Sequence, residues 1–315
     1  MDAVPALARH VRDQLDKVIV GQAEVKTECL AVLLCRGHAL LEGVPGVAKT
    51  LTVKALARVL GLAFRRVQCT PDLMPADILG TSVANLATGT FHLHRGPAFT
   101  DVLLVDEINR VPPRTQAALL ECMEERQITI DGELHALSPQ FTVFATQNPI
   151  EFEGTYPLPE AQLDRFLAKI RVPYPAEADE RDLVRRGHQQ AATSRVETAG
   201  LEPVPPGLLE AATAELDRVT VEDSLIGYLV EIVRRTRDWP SLSLGASPRA
   251  AVNLLRMAKA SAVLEGRAFV IPDDVKTALA PVLRHRVVVR PEADLEGVTT
   301  DQALADVARA VAVPK

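Results

Sequence analysis

The fold class of this 315-residue chain is decided by one stretch, Gly43-Val44-Pro45-Gly46-Val47-Ala48-Lys49-Thr50. The stretch follows a short apolar run at 38–41 and opens a helical pattern over 49–60. This strand–loop–helix context is typical of a phosphate-binding loop, in which backbone N–H groups and a helix N-terminus surround the phosphates. We therefore expect ATP as the nucleotide, with the Lys49 ammonium on its phosphate oxygens and the Thr50 hydroxyl on Mg²⁺.

The loop departs at one position from the usual pattern G-x-x-x-x-G-K-[S/T], because Ala48 stands where the second glycine is expected. An L-residue with a side chain disfavours a positive φ, so we expect Ala48 to have a negative φ. The residues that we expect to bind the nucleotide through the loop and the first helical turn are Gly43, Val44, Pro45, Gly46, Val47, Ala48, Lys49, Thr50 and Leu51.

A second motif is the apolar run 102–105, which is followed by Asp106 and Glu107. Such a run is typical of a strand buried on both faces of a parallel sheet. Its carboxyl end is where ligands of open α/β sheets bind. We expect Asp106 to hold the Mg²⁺ shell through water and Glu107 to polarise the attacking water. Taken alone, two acids after a strand are equally typical of a solvated strand end, and the loop favours the catalytic interpretation.

Three further positions carry polar groups where a nucleotide site needs them. Asn148 follows an apolar strand at 141–146 and would position the lytic water, although Asn-Pro alone indicates only a turn. Arg165 ends a short helix and would stabilise a neighbour's transition state, or else pair with Asp164. Arg249 opens a helix, which is an unfavourable place for a cation, so it indicates either a phosphate partner or a solvated side chain.

The order of the predicted elements defines the fold class and the domains. Strands alternate with helices over 1–175, which predicts an α/β domain with a parallel sheet and a helix at its N-terminus. Alternating patterns at 80–97, around the turn 87–90, and at 127–137, around Asp131-Gly132, predict two β-hairpins. A proline-rich and polar linker at 176–205 precedes a smaller, all-helical domain at 206–315.

The composition narrows the function classes. The formal net charge is −6, which does not indicate a basic surface for nucleic acid. The chain has 8 Phe, 3 Tyr and 1 Trp, so few aromatic side chains are available to stack on bases. Both observations disfavour nucleic acid as a partner. The 4 Cys form no CxxC pair, which indicates reduced thiols in the cytoplasm. The sequence shows neither a membrane-spanning apolar run nor a secretory signal pattern, so we expect no membrane span.

The chain resembles the MoxR family of AAA+ ATPases. The resemblance rests on five motifs in a fixed order, GVPGVAKT, VLLVDEINR, FATQNP, LPEAQLDRF and SPRA, and it covers about residues 14 to 291. It implies an AAA+ P-loop αβα core with a smaller helical lid, in which the two hairpins are insertions. It also implies homo-hexameric rings that bind ATP at the subunit interfaces.

The same resemblance assigns roles to individual residues. It implies that Asn148 is sensor 1, Arg165 the arginine finger and Arg249 sensor 2, which acts either in its own subunit or in the neighbour's site. It places Val20, Gly21 and Gln22 near the adenine. It implies a chaperone or maturation factor that remodels client proteins or inserts metal cofactors, together with a partner that carries a von Willebrand factor A domain.

Two other functions share this core. A nucleic-acid motor or loader is disfavoured by the acidic charge and by hairpin tips without Lys or Arg. A nucleotide-gated scaffold with little turnover is disfavoured because Glu107 and Arg165 are both present. A short basic run, which we expect on a solvated or intersubunit surface, consists of Arg284, His285, Arg286 and Arg290.

Overall fold

The computed structural model describes residues 2–85, 90–150, 154–189 and 199–314. Two expected features therefore lie wholly or mostly outside the described residues. They are the tip of the first hairpin at 87–89 and the polar linker segment at 190–198.

The strands follow in chain order: β1 (Ala39–Glu42), β2 (Phe64–Gln68), β3 (Gly80–Asn85), β4 (Thr90–Arg95), β5 (Val102–Asp106), β6 (Gln127–Ile130), β7 (Glu133–Ala136), β8 (Thr142–Gln147), β9 (Ala168–Arg171), β10 (Leu242–Leu244) and β11 (Val288–Val289). The α-helices are α1 (Ala3–Leu15), α2 (Ala23–Leu34), α3 (Lys49–Val59), α4 (Pro75–Leu79), α5 (Pro113–Glu125), α6 (Glu160–Leu163), α7 (Glu177–Gln189), α8 (Leu208–Asp217), α9 (Asp223–Arg235), α10 (Pro248–Leu264), α11 (Pro272–Leu283), α12 (Pro291–Leu295) and α13 (Thr300–Ala310).

Five strands form one parallel sheet in the order β2-β5-β8-β1-β9, which confirms the predicted α/β class. Every residue of β5 is buried, as expected for a strand covered on both faces. Successive residues of a strand face opposite sides of the sheet, so Leu40 packs in one apolar cluster with Leu103. Leu41 packs in the other cluster with Leu56 of α3.

The strand order brings the predicted motifs to one edge of the sheet. β5, β8 and β1 are neighbours and run parallel, so their carboxyl ends lie side by side. The residues that follow these ends are Glu107, Asn148 and Gly43. This is the edge at which open α/β sheets bind ligands.

Both predicted hairpins are confirmed. β3 pairs with β4 from Gly80 to Asn85, and β6 pairs with β7 from Gln127 to Ile130. Each hairpin presents a large apolar side chain to solvent, because Phe91 is 74% and Leu134 is 65% exposed. The hairpins therefore offer apolar contact surface outside the core.

The lid is helical, as predicted, and consists mainly of α8 to α11 and α13. It also contains an antiparallel ribbon that the sequence did not predict, in which β10 pairs with β11. One apolar cluster runs from the sheet into the lid, since Leu41 and Leu254 belong to it together. In the described ranges, no helix combines the length and the apolar character needed to cross a bilayer.

The first helix contacts both parts of the chain. α1 packs on α3 of the sheet domain and on α8 of the lid. Its N-terminal N–H groups are capped by a lid residue, because the Glu215 carboxylate accepts hydrogen bonds from the N–H groups of Asp2, Ala3 and Val4 at 2.9, 3.0 and 3.0 Å. α1 thus connects the helix after the predicted loop with the lid.

Candidate active site

The loop between β1 and α3 has the backbone of an anion-binding turn. A Cβ at Gly43 would lie 2.6 Å from the Val172 carbonyl oxygen, so the loop leaves β1 through a position where only glycine fits. Gly46 has a φ of +86° and Ala48 a φ of +61°. Left-handed residues next to a helix start aim successive N–H groups at one point, which is the arrangement that binds phosphate.

The expectation of a negative φ at Ala48 is wrong. Ala48 is left-handed, with φ +61° and ψ +22°, and it directly precedes α3. The turn from the loop into the helix requires this conformation, although it costs an L-residue about 1–2 kcal/mol. The buried Val47 anchors the loop just before it, and such packing can hold a strained residue in place.

Lys49 is the first residue of α3, and its ammonium lies against the loop itself. Its Nζ donates hydrogen bonds to the carbonyl oxygens of Gly43 at 2.7 Å and Val44 at 2.8 Å. The positive charge is therefore held beside the left-handed turn. This position suits the β- and γ-phosphates of a nucleotide bound in the loop.

The Asp106 carboxylate is the centre of a hydrogen-bond network at the end of β5. Its Oδ2 accepts from Thr50 Oγ1 at 3.1 Å and from Arg66 Nε and Nη2 at 3.1 and 2.7 Å. Its Oδ1 accepts from Thr146 Oγ1 at 2.6 Å. A hydroxyl and a carboxylate oxygen at this distance are the ligand types that Mg²⁺ takes beside a phosphate, so Thr50 and Asp106 fit the ion.

Sequence reasoning missed two members of this network. Arg66 lies on β2, which is the neighbour of β5, and Thr146 lies on β8, on the other side of β5. Thr146 Oγ1 also accepts a hydrogen bond from the Glu107 N–H at 2.8 Å, so one hydroxyl orients both acids. The available signal was a polar or charged side chain near the carboxyl end of each flanking strand.

Glu107 follows Asp106 at the end of the strand and has a left-handed φ of +62°. Its Oε2 accepts from Gln68 Nε2 at 3.2 Å and forms an ion pair with Arg110 Nε at 2.8 Å. The carboxylate is thus held beside the Asp106 network. Burial and the charges of these two acids raise the pKa of the nearby Cys69 thiol to about 12, so this thiol stays protonated.

Asn148 lies at the same edge, beside the loop. It is buried, and its Oδ1 accepts a hydrogen bond from the Ile150 N–H at 3.2 Å. The preceding residue, Gln147, accepts a hydrogen bond from the Gly43 N–H at 3.3 Å through its carbonyl oxygen. The structure therefore brings Asn148 to the loop, together with Lys49 and Glu107.

The segment Val20-Gly21-Gln22 also contacts the loop. Gln22 Nε2 donates a hydrogen bond to the Val47 carbonyl oxygen at 3.0 Å. Gln22 Oε1 is buried and has no hydrogen-bond partner among the described residues. An acceptor of this kind suits the amino group of an adenine. Leu51 lies in the first turn of α3 and packs against the apolar core.

Arg165 and Arg249 lie elsewhere. Both contact one acid on α5, because Arg165 Nη1 is 3.3 Å from Glu124 Oε2 and Arg249 Nη2 is 2.6 Å from Glu124 Oε1. The hydrogen bond from Arg249 holds the pKa of Glu124 below its usual value. A pocket of about 200 Å³ contains all three side chains and is also lined by residues 37–38, which precede β1. We call it the arginine pocket.

Arg165 does not form the alternative ion pair with Asp164, because Asp164 pairs with a different arginine. Arg286 Nε donates to Asp164 Oδ1 at 2.6 Å, and Arg286 Nη2 donates to the Phe166 carbonyl oxygen at 2.5 Å. Arg286 is 5% exposed and His285 is also 5% exposed, so the expectation of a solvated or intersubunit surface is wrong for these two residues. Arg286 belongs to the lid, and it holds the segment that contains Arg165 against the lid.

Known proteins resemble the chain over its whole length. The family model of the ATPase family associated with various cellular activities (AAA) matches residues 38–168, and an AAA lid domain model matches residues 234–312. The chain is 45% identical to the uncharacterized protein YeaC of Bacillus subtilis (strain 168), over 99% of this chain and 96% of that protein. It is 41% identical to Chaperone MoxR1 of Mycobacterium tuberculosis, over 96% of this chain and 81% of that protein.

A solved structure agrees with this relationship. The crystal structure of a candidate ATPase from Cytophaga hutchinsonii superposes with a TM-score of 0.89 at 39% identity and covers 100% of this chain and 98% of that chain. The fold and the site thus define an AAA+ ATPase with a helical lid. Within this class, the chain belongs to the MoxR family.

Proposed function

We propose that the protein is a homo-hexameric, ATP-hydrolysing ring machine in which each nucleotide site is completed by the neighbouring subunit. The observation that carries this proposal is the position of the arginine pocket. The pocket is lined by residues 37–38 before β1, whereas the phosphate loop at 43–50 follows β1. The four residues of β1 span about 13 Å, so Arg165 and Arg249 lie at the opposite edge of the sheet from their own phosphate loop.

This separation favours a role in trans for both arginines. An arginine finger is effective only when its guanidinium contacts the transferred phosphoryl group. Since Arg249 shares Glu124 with Arg165, both side chains would reach the same neighbouring nucleotide. The sequence left the side of action of Arg249 open, and the shared acid supports action on the neighbour.

The residues of the nucleotide site divide the remaining chemistry. Lys49 and the loop N–H groups bind the phosphates, and the segment 20–22 contacts the adenine. Mg²⁺, held by Thr50 and by Asp106 through water, would neutralise charge on the phosphates. Glu107 acts as the base on the lytic water, and Asn148 positions that water beside the γ-phosphate.

The work done by the ring is the remodelling of client proteins, as a chaperone or maturation factor. The name of Chaperone MoxR1 supports this proposal, and so do the exposed Phe91 and Leu134 on the hairpins, because apolar side chains contact protein better than nucleic acid. We further propose a partner with a von Willebrand factor A domain and assistance in metal-cofactor insertion. Four free, buried cysteines suit the reducing cytoplasm as the place of action.

A trapping experiment tests the proposal. Glu107→Gln protein with ATP is expected to form rings in sedimentation and to retain client or partner proteins that the Lys49→Ala protein does not retain. Binding of single-stranded DNA that weakens with salt, without retained protein, would favour a nucleic-acid motor instead. ATP binding with no hydrolysis by the wild-type protein at any concentration would favour the scaffold.

A further inference from the structure

A second cavity lies where the sheet domain meets the lid. It has a volume of about 500 Å³, and both domains contribute to its wall. The cations that line it are Arg36 after α2, Arg126 after α5, and Arg256 and Lys259 on α10. We call it the junction cavity. It adjoins the arginine pocket, which shares Arg36, Arg126 and Arg256.

The charges of the junction cavity are not balanced by the protein. Its lining contains a single acid, Asp217, which is exposed. Within the described ranges, none of the four cations forms an ion pair with a carboxylate. The arginine pocket differs in this respect, because Glu124 lies between Arg165 and Arg249 and forms an ion pair with each. The junction cavity therefore concentrates positive charge without a partner.

Two of these arginines are held in place by backbone oxygens. Arg126 Nη1 donates to the carbonyl oxygens of Pro139 and Phe141 at 3.3 and 3.2 Å, and its Nη2 donates to that of Arg36. Arg256 Nη2 donates to the Cys35 carbonyl oxygen. Carbonyl oxygens orient a guanidinium but do not neutralise its charge.

The guanidinium groups also repel one another. The pKa of Arg126 is lowered from its usual value, first by burial and then by the charges of Arg256 and Arg36. Arg36 and Lys259 have no side-chain hydrogen bond among the described residues, so their donors remain available. A half-buried cluster with this geometry gains most from an anion that several donors can contact together.

We propose that the junction cavity binds a phosphate oxyanion, either free inorganic phosphate or the terminal phosphates of a nucleotide. Guanidinium groups present paired donors that match the oxygens of phosphate, and a lysine adds a point charge. The volume lies within the range of small-ligand pockets, so a phosphate or diphosphate fits. This site is distinct from the phosphate loop, which lies beyond the other end of β1.

An anion at this place would link the two domains. Arg36 and Arg126 belong to the sheet domain, and Arg256 and Lys259 belong to the lid. An oxyanion between them replaces repulsion across the junction by attraction on both sides. Bound phosphate is therefore expected to hold the lid against the sheet domain and to stabilise the folded chain.

The test uses full-length protein that carries Lys49→Ala, so that the phosphate loop does not contribute. Isothermal titration calorimetry measures the heat of binding of sodium phosphate and, separately, of ADP. A titration with sodium chloride at equal ionic strength is the reference. Arg36→Gln and Lys259→Gln are then added together, because neither side chain has a structural partner that the change would remove. Arg234→Gln, an exposed position on lid helix α9, removes one positive charge elsewhere and is the matched control.

The Lys49→Ala protein and its Arg234→Gln control are expected to bind phosphate, and the Arg36→Gln/Lys259→Gln protein is expected to bind at least tenfold more weakly. Binding of phosphate alone identifies the free ion as the ligand, and binding of ADP alone identifies a nucleotide phosphate. The proposal is overturned if the Lys49→Ala protein binds neither, or if the double variant binds as tightly as the control. Circular dichroism of each variant verifies that its fold is intact, and loss of the nucleotide-site function would leave this result unchanged.

Discussion

Mixing two inactive variants, Glu107→Gln and Arg165→Ala, is expected to restore ATP hydrolysis. Arg165→Ala alone should lower kcat by about 10³-fold or more, the effect of removing an arginine finger that acts in trans. Glu107→Gln alone should bind ATP but lack the base. In a mixed ring, an Arg165→Ala subunit keeps its Glu107, and a neighbouring Glu107→Gln subunit supplies the arginine.

The size of the recovery follows from the head-to-tail arrangement of a ring. In an equal mixture, half of the sites keep Glu107 and half of their neighbours keep Arg165, so about a quarter of the interfaces are intact. Hydrolysis should therefore peak near an equal ratio, at about a quarter of the wild-type rate if the sites act independently. A coupled ATPase assay at constant total subunit concentration measures this profile.

A third variant supplies the control for this experiment. Lys49→Ala and Glu107→Gln damage the same side of the interface, so their mixture contains no intact site and should stay inactive. The reasoning is refuted if wild-type protein keeps its specific activity on dilution to concentrations at which sedimentation detects only monomer. Failure of the mixture to recover ATP hydrolysis is weaker evidence against catalysis in trans, because damaged subunits can inhibit a whole ring.

The remaining predictions concern single sites. Lys49→Ala should weaken ATP binding more than tenfold in a fluorescent-nucleotide titration, and a smaller loss would contradict the loop assignment. Glu107→Gln should retain bound ATP unhydrolysed in a quench assay, and turnover equal to wild type would exclude it as base. Arg66→Met should lower kcat about tenfold and raise the Mg²⁺ requirement, because hydrogen bonds that orient the charged Asp106 contribute about 1.5–3 kcal/mol; an unchanged Mg²⁺ dependence would show that Arg66 is dispensable. Burial raises the pKa of Glu28 to about 7. In the folded chain its carboxylate therefore carries a charge only above about this pH, where burial of the charge destabilises the fold. Glu28→Gln should therefore raise the free energy of unfolding by up to about 3 kcal/mol at pH 8 and change it little near pH 4.5, and urea unfolding that gives the same difference at both values would contradict this.

The parts of the fold that the sequence predicts well are those with local causes. The helical pattern at 49–60 and the apolar run at 102–105 are found as the helix Lys49–Val59 and the strand Val102–Asp106, because a helical period and an unbroken apolar run are visible within a few residues. The nucleotide site was predictable for the same reason, since the loop and the two acids are short contiguous motifs. The structure then brings them together through strand order alone.

The features that sequence reasoning missed depend on distant partners. Arg286 resembles a surface residue in its basic run, and its burial is explained by distant partners such as the Asp164 carboxylate, which is 122 positions away, and the Phe166 carbonyl oxygen. The ribbon of β10 and β11 joins Leu242 to Val289, and neither short strand is distinct on its own. Ala48 was misjudged because a propensity rule describes an average residue, whereas the surrounding loop fixes this one.

The capped first helix has a consequence for how nucleotide binding is observed. α1 contacts the helix that begins with Lys49, and Glu215 of the lid holds its N-terminal N–H groups. Any rotation of the lid relative to the sheet domain must break these hydrogen bonds or shear the packing of α1. The Arg9 position on α1 is exposed. A fluorophore attached there would therefore change its signal when the lid moves, although it lies near the start of the chain and away from the nucleotide site.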